Sequence, residues 1–287
     1  MYRLINLLKI SKKVGDKFMN LFGEDMIIGN FKLSDYGLIL ASFEESSNIE
    51  EDLGTNHDTI EEFIADNPVP VYIGAKYSEK LRPTATIIKN PNIVQDMHFT
   101  EHECRTILRE LTGFYGYKKM QIYSNELNEL LYFNVRINNV QYKKVAGKIV
   151  GLILGMECDS QFAWSKEFNY TYKVSAGTIL SFYNISDDLN NYLKPTVKIA
   201  TSSDIEQLEI INLTDNSWTT ILKNISSNEV ITMDSKNEIL ESSLDRLILN
   251  DFNMHFIRFV SGINKIQVNN DVTLDISFVY PRKVGFV

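Results

Sequence analysis

Cysteine is scarce in this chain. Only Cys104 and Cys158 occur among 287 residues, and neither belongs to a Cys-x-x-Cys pair. That excludes a disulfide scaffold or a zinc ribbon and fits folding in a reducing compartment. Long hydrophobic runs are absent too. The longest, Ile149 to Met156, is about eight residues, against roughly 20 for a membrane-spanning helix, so no stable membrane insertion is expected. Basic residues are in deficit, 29 against 37 acidic, for a net charge of -8. A free-standing binder of nucleic acid or anionic membrane usually carries a basic face, so neither class is favoured.

The motifs of common chemistries are also missing. The chain has no Gly-rich phosphate loop, no G-x-S-x-G elbow and no H-E-x-x-H pair. Of the four histidines, His57, His98, His102 and His255, only His98 and His102 have metal-like spacing, with Cys104 two residues on. His98 precedes the cap of a predicted helix, so the pair does not share a helical face, and no fourth ligand follows. Cys104 falls on that helix's apolar stripe, where a thiol acts as a small hydrophobe. Carboxylate pairs such as Asp187 with Asp188 or Glu44 with Glu45 mean nothing among so many acids. The run Asp187 to Asn191 lacks the ligand order of a calcium loop. No catalytic, cofactor-binding or metal residue is assigned, and no cofactor is expected.

What is present reads as mainly β. The amino-terminal segment comes first: Leu4, Leu7, Leu8, Val14, Phe18, Leu21 and Phe22 follow helical spacing with Lys9, Lys13, Asp16 and Asn20 opposite, which predicts an amphipathic helix over 1–25. From Met26 the texture turns to short alternating runs. Ile27, Ile28, Phe31 and Leu33, a turn at Ser34 to Gly37, then Leu38 to Phe43 suggest a hairpin. Residues 44–70 hold nine carboxylates and no Lys or Arg and read as an acidic surface excursion. Strands are expected around 71–73, 84–88, 119–123, 131–138 and 148–157. One helix interrupts them: Thr100 and Glu103 form a capping box, Cys104, Ile107, Leu108 and Leu111 one stripe, and Gly113 a left-handed stop. A first domain over 26–166 results. From 167 to 287 the sequence predicts a sandwich with strands at 179–184, 196–200, 207–213, 218–222, 229–233, 238–241, 255–260, 265–268 and 272–280. No tandem repeat appears.

Several short patterns, in this order, resemble the distal tail protein family of tailed phages infecting Gram-positive bacteria. Phe31-Lys32-Leu33-Ser34-Asp35-Tyr36-Gly37-Leu38 is similar to that family's first hairpin, and the capped helix at Thr100 to Leu111 sits where the family has its single helix. Gly155 to Trp164, with Cys158-Asp159-Ser160-Gln161-Phe162-Ala163, resembles a strand ending in Cys-Asp-Ser-Pro-Phe-Ala, Gln161 standing for the proline. Ile231-Thr232-Met233-Asp234 and Phe259-Val260-Ser261-Gly262-Ile263-Asn264-Lys265-Ile266 look like its signatures before the last strands. The resemblance implies a first domain of sheets plus one helix forming a homo-hexameric ring, and a second, galectin-like β-sandwich. It further implies a structural, non-enzymatic protein of the virion tail tip, assembled in the host bacterial cytoplasm. Its partners would be a tail tube protein and a tail-associated hub or fibre protein, with DNA passing through the lumen unbound. A contractile-tail baseplate or a phage-derived bacteriocin fits the same resemblance.

Within that reading, Phe31, Tyr36 and Leu38 of the first hairpin and Glu50, Glu51, Asp52, Glu61 and Glu62 of the acidic excursion are the candidate subunit or partner contacts. The carboxylates have two readings: a solvated loop, or a segment lining a lumen or a charged contact, where negative charge repels passing phosphates. An alternative function is a carbohydrate-binding receptor-recognition module, with Trp218 and the tyrosines stacking on sugars; in a sandwich such rings more often fill the space between sheets.

Overall fold

A computed structural model describes residues 9–13, 16–20, 25–41, 57–77, 80–123 and 130–283. The chain divides into two compact units between Trp164 and Ser165. In the first unit the strands are β1 (Lys9–Lys13), β2 (Asp16–Asn20), β3 (Asp25–Ile28), β4 (Phe31–Lys32), β5 (Leu38–Ala41), β6 (His57–Glu62), β7 (Val71–Tyr77) and β8 (Pro83–Lys89). Helix α1 (Glu101–Thr112) follows, then β9 (Lys118–Tyr123), β10 (Tyr132–Val145), β11 (Lys148–Cys158) and β12 (Ala163–Trp164).

One sheet organises this unit, in the order β1-β2-β8-β11-β10-β9-β3-β4, with β5 also on β8 and β12 on β10. The pattern of β8 explains its place. Pro83, Ala85 and Ile87 turn inward while Thr84 and Thr86 are half-buried, the period-2 alternation of a strand with one face on the core. One edge of β8 pairs with β11, from Thr84 to Ile87. The other is shared, with β2 at Pro83 and Thr84 and β5 from Thr86 to Lys89.

Two expectations for the start of the chain are overturned. The predicted amphipathic helix over 1–25 gives way to strands β1 and β2, which pair antiparallel from Lys9↔Asn20 to Lys13↔Asp16. The open edge of β8 offers β2 backbone partners, and sheet pairing overrides a short helical periodicity. Residues 1–8, 14–15 and 21–24 lie outside the described residues. The first hairpin also differs: β3 turns back on β4 through Ile28↔Phe31, a 3-10 turn spans Leu33–Tyr36, and β5 crosses to β8 rather than pairing with β4.

The helix starts as predicted. Thr100 is extended, its side chain accepts the Glu103 N–H, and its own N–H donates to Glu103 Oε2 at 2.7 Å. Lys89 Nζ lies 2.8 Å from Glu103 Oε1, tying the helix start to β8. Burial alone would raise the Glu103 pKa, but Lys89 and the Thr100 donors outweigh it and hold the carboxyl below its ordinary value. Cys104, Ile107 and Leu111 are buried, packing with Met26, Ile28, Leu33, Ile87, Met120, Leu152 and Leu154 in one core. The stop is different from the expectation. Gly113 has φ -74, not a left-handed value; a Cβ there would sit 2.4 Å from the Arg109 carbonyl oxygen, so close approach requires the glycine.

The pair β10–β11 runs further than expected. Beyond Val135 it has left β9, and on the turn side of Leu152 it has left β8; residues 141–151 form a two-stranded arm whose Ile149 still packs on the core and accepts the Phe99 N–H at 2.8 Å. Its tip is the two-residue turn Ala146–Gly147, with φ +49 and +79, the left-handed pair that tight hairpins need.

In the second unit the strands are β13 (Phe168–Val174), β14 (Thr178–Asn184), β15 (Thr196–Ala200), β16 (Ile205–Asn212), β17 (Trp218–Ile225), β18 (Val230–Asp234), β19 (Ile239–Ser242), β20 (Gly262–Val268) and β21 (Val272–Phe278). They form two antiparallel sheets, β13-β21-β15-β18-β19 and β14-β20-β16-β17. Val197, Ile199, Leu274 and Ile276 from one and Leu208, Ile210, Leu222, Ile266 and Val268 from the other share one core, the arrangement of a β-sandwich. β13 adds to the expected strands, and 255–260 departs from them. That segment keeps one isolated bridge, Phe259↔Leu193. Its carbonyls are taken by side chains instead: Thr220 Oγ1 donates to the His255 oxygen, Trp218 Nε1 to that of Phe256 and Asn212 Nδ2 to that of Arg258.

The turn at Ala146 yields the first prediction. An L-residue with a Cβ is strained at positive φ, and asparagine tolerates it best. Ala146→Asn should raise the stability of the first unit by about 0.5–1 kcal/mol, read as a higher denaturant midpoint with an unchanged slope.

Candidate interaction surfaces

The residues with latent chemistry are used internally. Cys104 and Cys158 are buried, and burial pushes both thiols up, away from the reactive thiolate. Among the described residues no group of three or more His, Cys, Asp or Glu side chains is placed to hold a metal ion. The His98 N–H donates to Asp96 Oδ1 at 3.0 Å, locking a turn before the helix cap.

The signature patterns of the sequence also close turns. Asp159 accepts from Asn134 Nδ2 at 2.8 Å and its N–H donates to the Asn134 carbonyl, joining the end of β11 to β10. Ser160 Oγ accepts the Phe162 N–H. Asp234 accepts the Lys236 and Asn237 N–H groups in the turn after β18. Asn264, fully buried, accepts the Val260 N–H, donates to the Val260 and Gly262 carbonyls, and accepts from Asn212 Nδ2. Here the side chains substitute for ladder hydrogen bonds that the irregular 255–261 segment does not make.

Two charged clusters brace the sandwich. Glu229, with no exposed side-chain surface, takes hydrogen bonds from Arg246 Nε at 2.7 Å, Ser242 Oγ and the Ser226 N–H, while Arg246 also reaches Asp251 at 2.6 Å. Burial works to raise the Glu229 pKa; these donors overcome it, and the carboxyl is held below its ordinary value. On β17, Trp218 stacks on His255 with ring centroids 4.1 Å apart. The Arg258 guanidinium lies 3.5 Å from the Trp218 ring and 4.0 Å from that of Tyr192, and its Nε donates to the buried Asp215 at 2.7 Å. The indole offered to sugars in the sequence reading is thus occupied by its own unit.

The predicted contact residues separate by burial. Phe31 is 4% exposed and Leu38 2%; both belong to the first unit's core. Tyr36, 43% exposed, stacks on Phe31 at 4.4 Å. Glu61 and Glu62 are exposed on β6. Glu50, Glu51 and Asp52 lie outside the described residues. What sequence reading missed is that part of the acidic excursion is a strand: β6 pairs with β7 from His57↔Tyr77 to Glu62↔Val71. The period-2 run Val71-Tyr72-Ile73 was the available signal.

Two family models cover nearly the whole chain. Residues 22–160 match the phage tail protein N-terminal domain and residues 162–280 the phage tail C-terminal domain. The chain belongs to the phage tail protein family. This tail protein is a component of the virion tail, and its two units coincide with the two matched domains. No curated protein matches it. Among solved structures, the tail protein is similar to the Dit protein of phage SPP1, described as a paradigm of the hub adsorption apparatus in Gram-positive-infecting phages. Identity is 12%, the match covers 89% of this chain and 98% of that one, and the TM-score is 0.63. Chains of the phage P2 baseplate in its activated conformation match with calcium, at 9% identity, 97% and 98% coverage and TM-score 0.43, and with strontium, at 8%, 97% and 98%, and 0.46. The SPP1 likeness places the mainly β fold of the tail protein with that of Dit.

The Glu229 cluster supplies the second prediction. In a Trp164→Phe background, where Trp218 alone reports the second unit, Glu229→Gln should cost about 3 kcal/mol at pH 7, because Arg246 loses a charged partner. A carboxyl held below its ordinary value stabilises above that value, and the contribution is lost as pH falls through the folded pKa. The penalty of the variant should therefore shrink in acid, as measured by denaturant titration across pH.

Proposed function

We propose that this tail protein is a non-enzymatic hub at the distal end of a phage tail. In this reading six copies form a ring that joins the tail tube protein to a tail-associated hub or fibre protein, and genomic DNA crosses the lumen without specific binding. The observation that carries the reading is the fold likeness to SPP1 Dit, which extends over both units and almost the full length of that chain. The match to both domains of one tail family adds to it. The internal use of Cys104, Cys158, Glu229 and Trp218 is in keeping with a structural role.

Light scattering and negative-stain imaging of the purified protein, alone and with the tail tube protein of the same phage, test the reading. A mass six times that of the chain and a six-fold ring are expected in at least one condition. A monomer in both contradicts it, and a monomer that binds cell-wall sugars moves the assignment to carbohydrate recognition.

A further inference from the structure

Two hairpins of the first unit present surfaces that their own pairing leaves uncovered. β6–β7 pairs with no other strand among the described residues, and an isolated two-stranded hairpin is at best marginally stable in water. Its side chains make exposure more costly. The register pairs Tyr72 with Glu61 on one face, the bulged Ile73 beside it, and puts Ile60 with Val71 and Glu62 on the other. The connecting loop adds Phe63, 78% exposed, to Tyr72 at 63% and Ile73 at 61%. Monomeric proteins seldom leave so contiguous an apolar set to solvent. Residues 57–77 carry Asp58, Glu61, Glu62 and Asp66 against Lys76 alone, so the net charge is 1 − 4 = −3.

The β10–β11 arm has the opposite character. Residues 141–151 hold Lys143, Lys144 and Lys148 and no carboxylate, a net charge of +3. Tyr142 and Val145 are exposed beside the turn, beyond the reach of both β9 and β8.

We propose that the apolar, acidic hairpin β6–β7 of one copy docks on the basic β10–β11 arm of a neighbouring copy, Phe63, Tyr72 and Ile73 against Tyr142 and Val145, and Glu61 and Glu62 against Lys144 and Lys148. This deepens the ring reading and rests on it, by naming a contact that links the copies. A second copy is the occupant because the complementary charge, −3 against +3, is carried by the chain itself. Hairpin against hairpin, or arm against arm, would set like charges together, which disfavours a two-fold contact centred on either one. Two different surfaces meeting head to tail instead propagate from copy to copy and close as a ring.

The test uses the full chain in two forms, a hairpin variant (Glu61→Lys with Glu62→Lys) and an arm variant (Lys144→Glu with Lys148→Glu), with self-association followed by sedimentation velocity, alone and with the tail tube protein. All four positions are on exposed strands, and circular dichroism checks the fold. Each variant alone should dissociate, its dissociation constant rising at least about tenfold through like-charge contacts. An equimolar mixture should re-associate, because every contact between unlike copies again pairs opposite charges. A wild-type assembly that both variants leave unchanged, or a mixture that fails to recover association, overturns the docking contact and leaves the ring reading standing. A wild-type chain that never associates in either condition overturns the ring reading and the contact with it.

Discussion

Backbone pairing between Tyr132–Val145 and Lys148–Cys158 holds the first unit together, because each of these strands serves two purposes along its length. Near its base the pair is the middle of the sheet: β9 lies against β10, β8 against β11, and Val135, Leu152 and Leu154 sit in the core with no exposed surface. Towards its tip the same pair leaves the sheet and becomes the basic arm. The arm inherits its position from the most buried strands of the unit, so a surface feature is held by core packing. A side chain lost at Leu152 or Leu154 would be felt at both ends.

The second unit solves a different problem. Its chain leaves the regular ladders after Ser242 and rejoins them at Gly262, and the backbone groups in between still need partners. Asn212, Thr220, Trp218, Asn253 and Asn264 supply them. Polar residues that would read as a binding surface are thereby structural, and the same holds for Glu229 with Arg246.

Much of this was legible in the residues. The capping box at Thr100 and Glu103 is a local pattern and located the helix to the residue; the alternation of the second unit marked most of its strands; the order of short signatures pointed to the tail family. The failures have physical causes. The amino-terminal segment has helical spacing, but its structure is decided by the free edge of β8, some sixty residues away in sequence. The residues 255–260 alternate like a strand, yet side-chain donors from β16 and β17 take their carbonyls. Phe31 and Leu38 were read as contacts from their place in a motif, and only the packed core reveals that they face inward. Acidic composition marked residues 44–70 as surface but masked the strand at His57–Glu62, whose partner, β7, lies beyond Pro70.

Amide hydrogen exchange over residues 57–77, compared between the associated protein and the protein diluted below its association threshold, tests most directly whether the exposed hairpin is completed by a neighbouring copy. The account predicts that the β6–β7 amides exchange at least about tenfold faster in the dissociated chain, while those of β8 and β11 in the core do not change. Equal protection of β6–β7 in both states would contradict it.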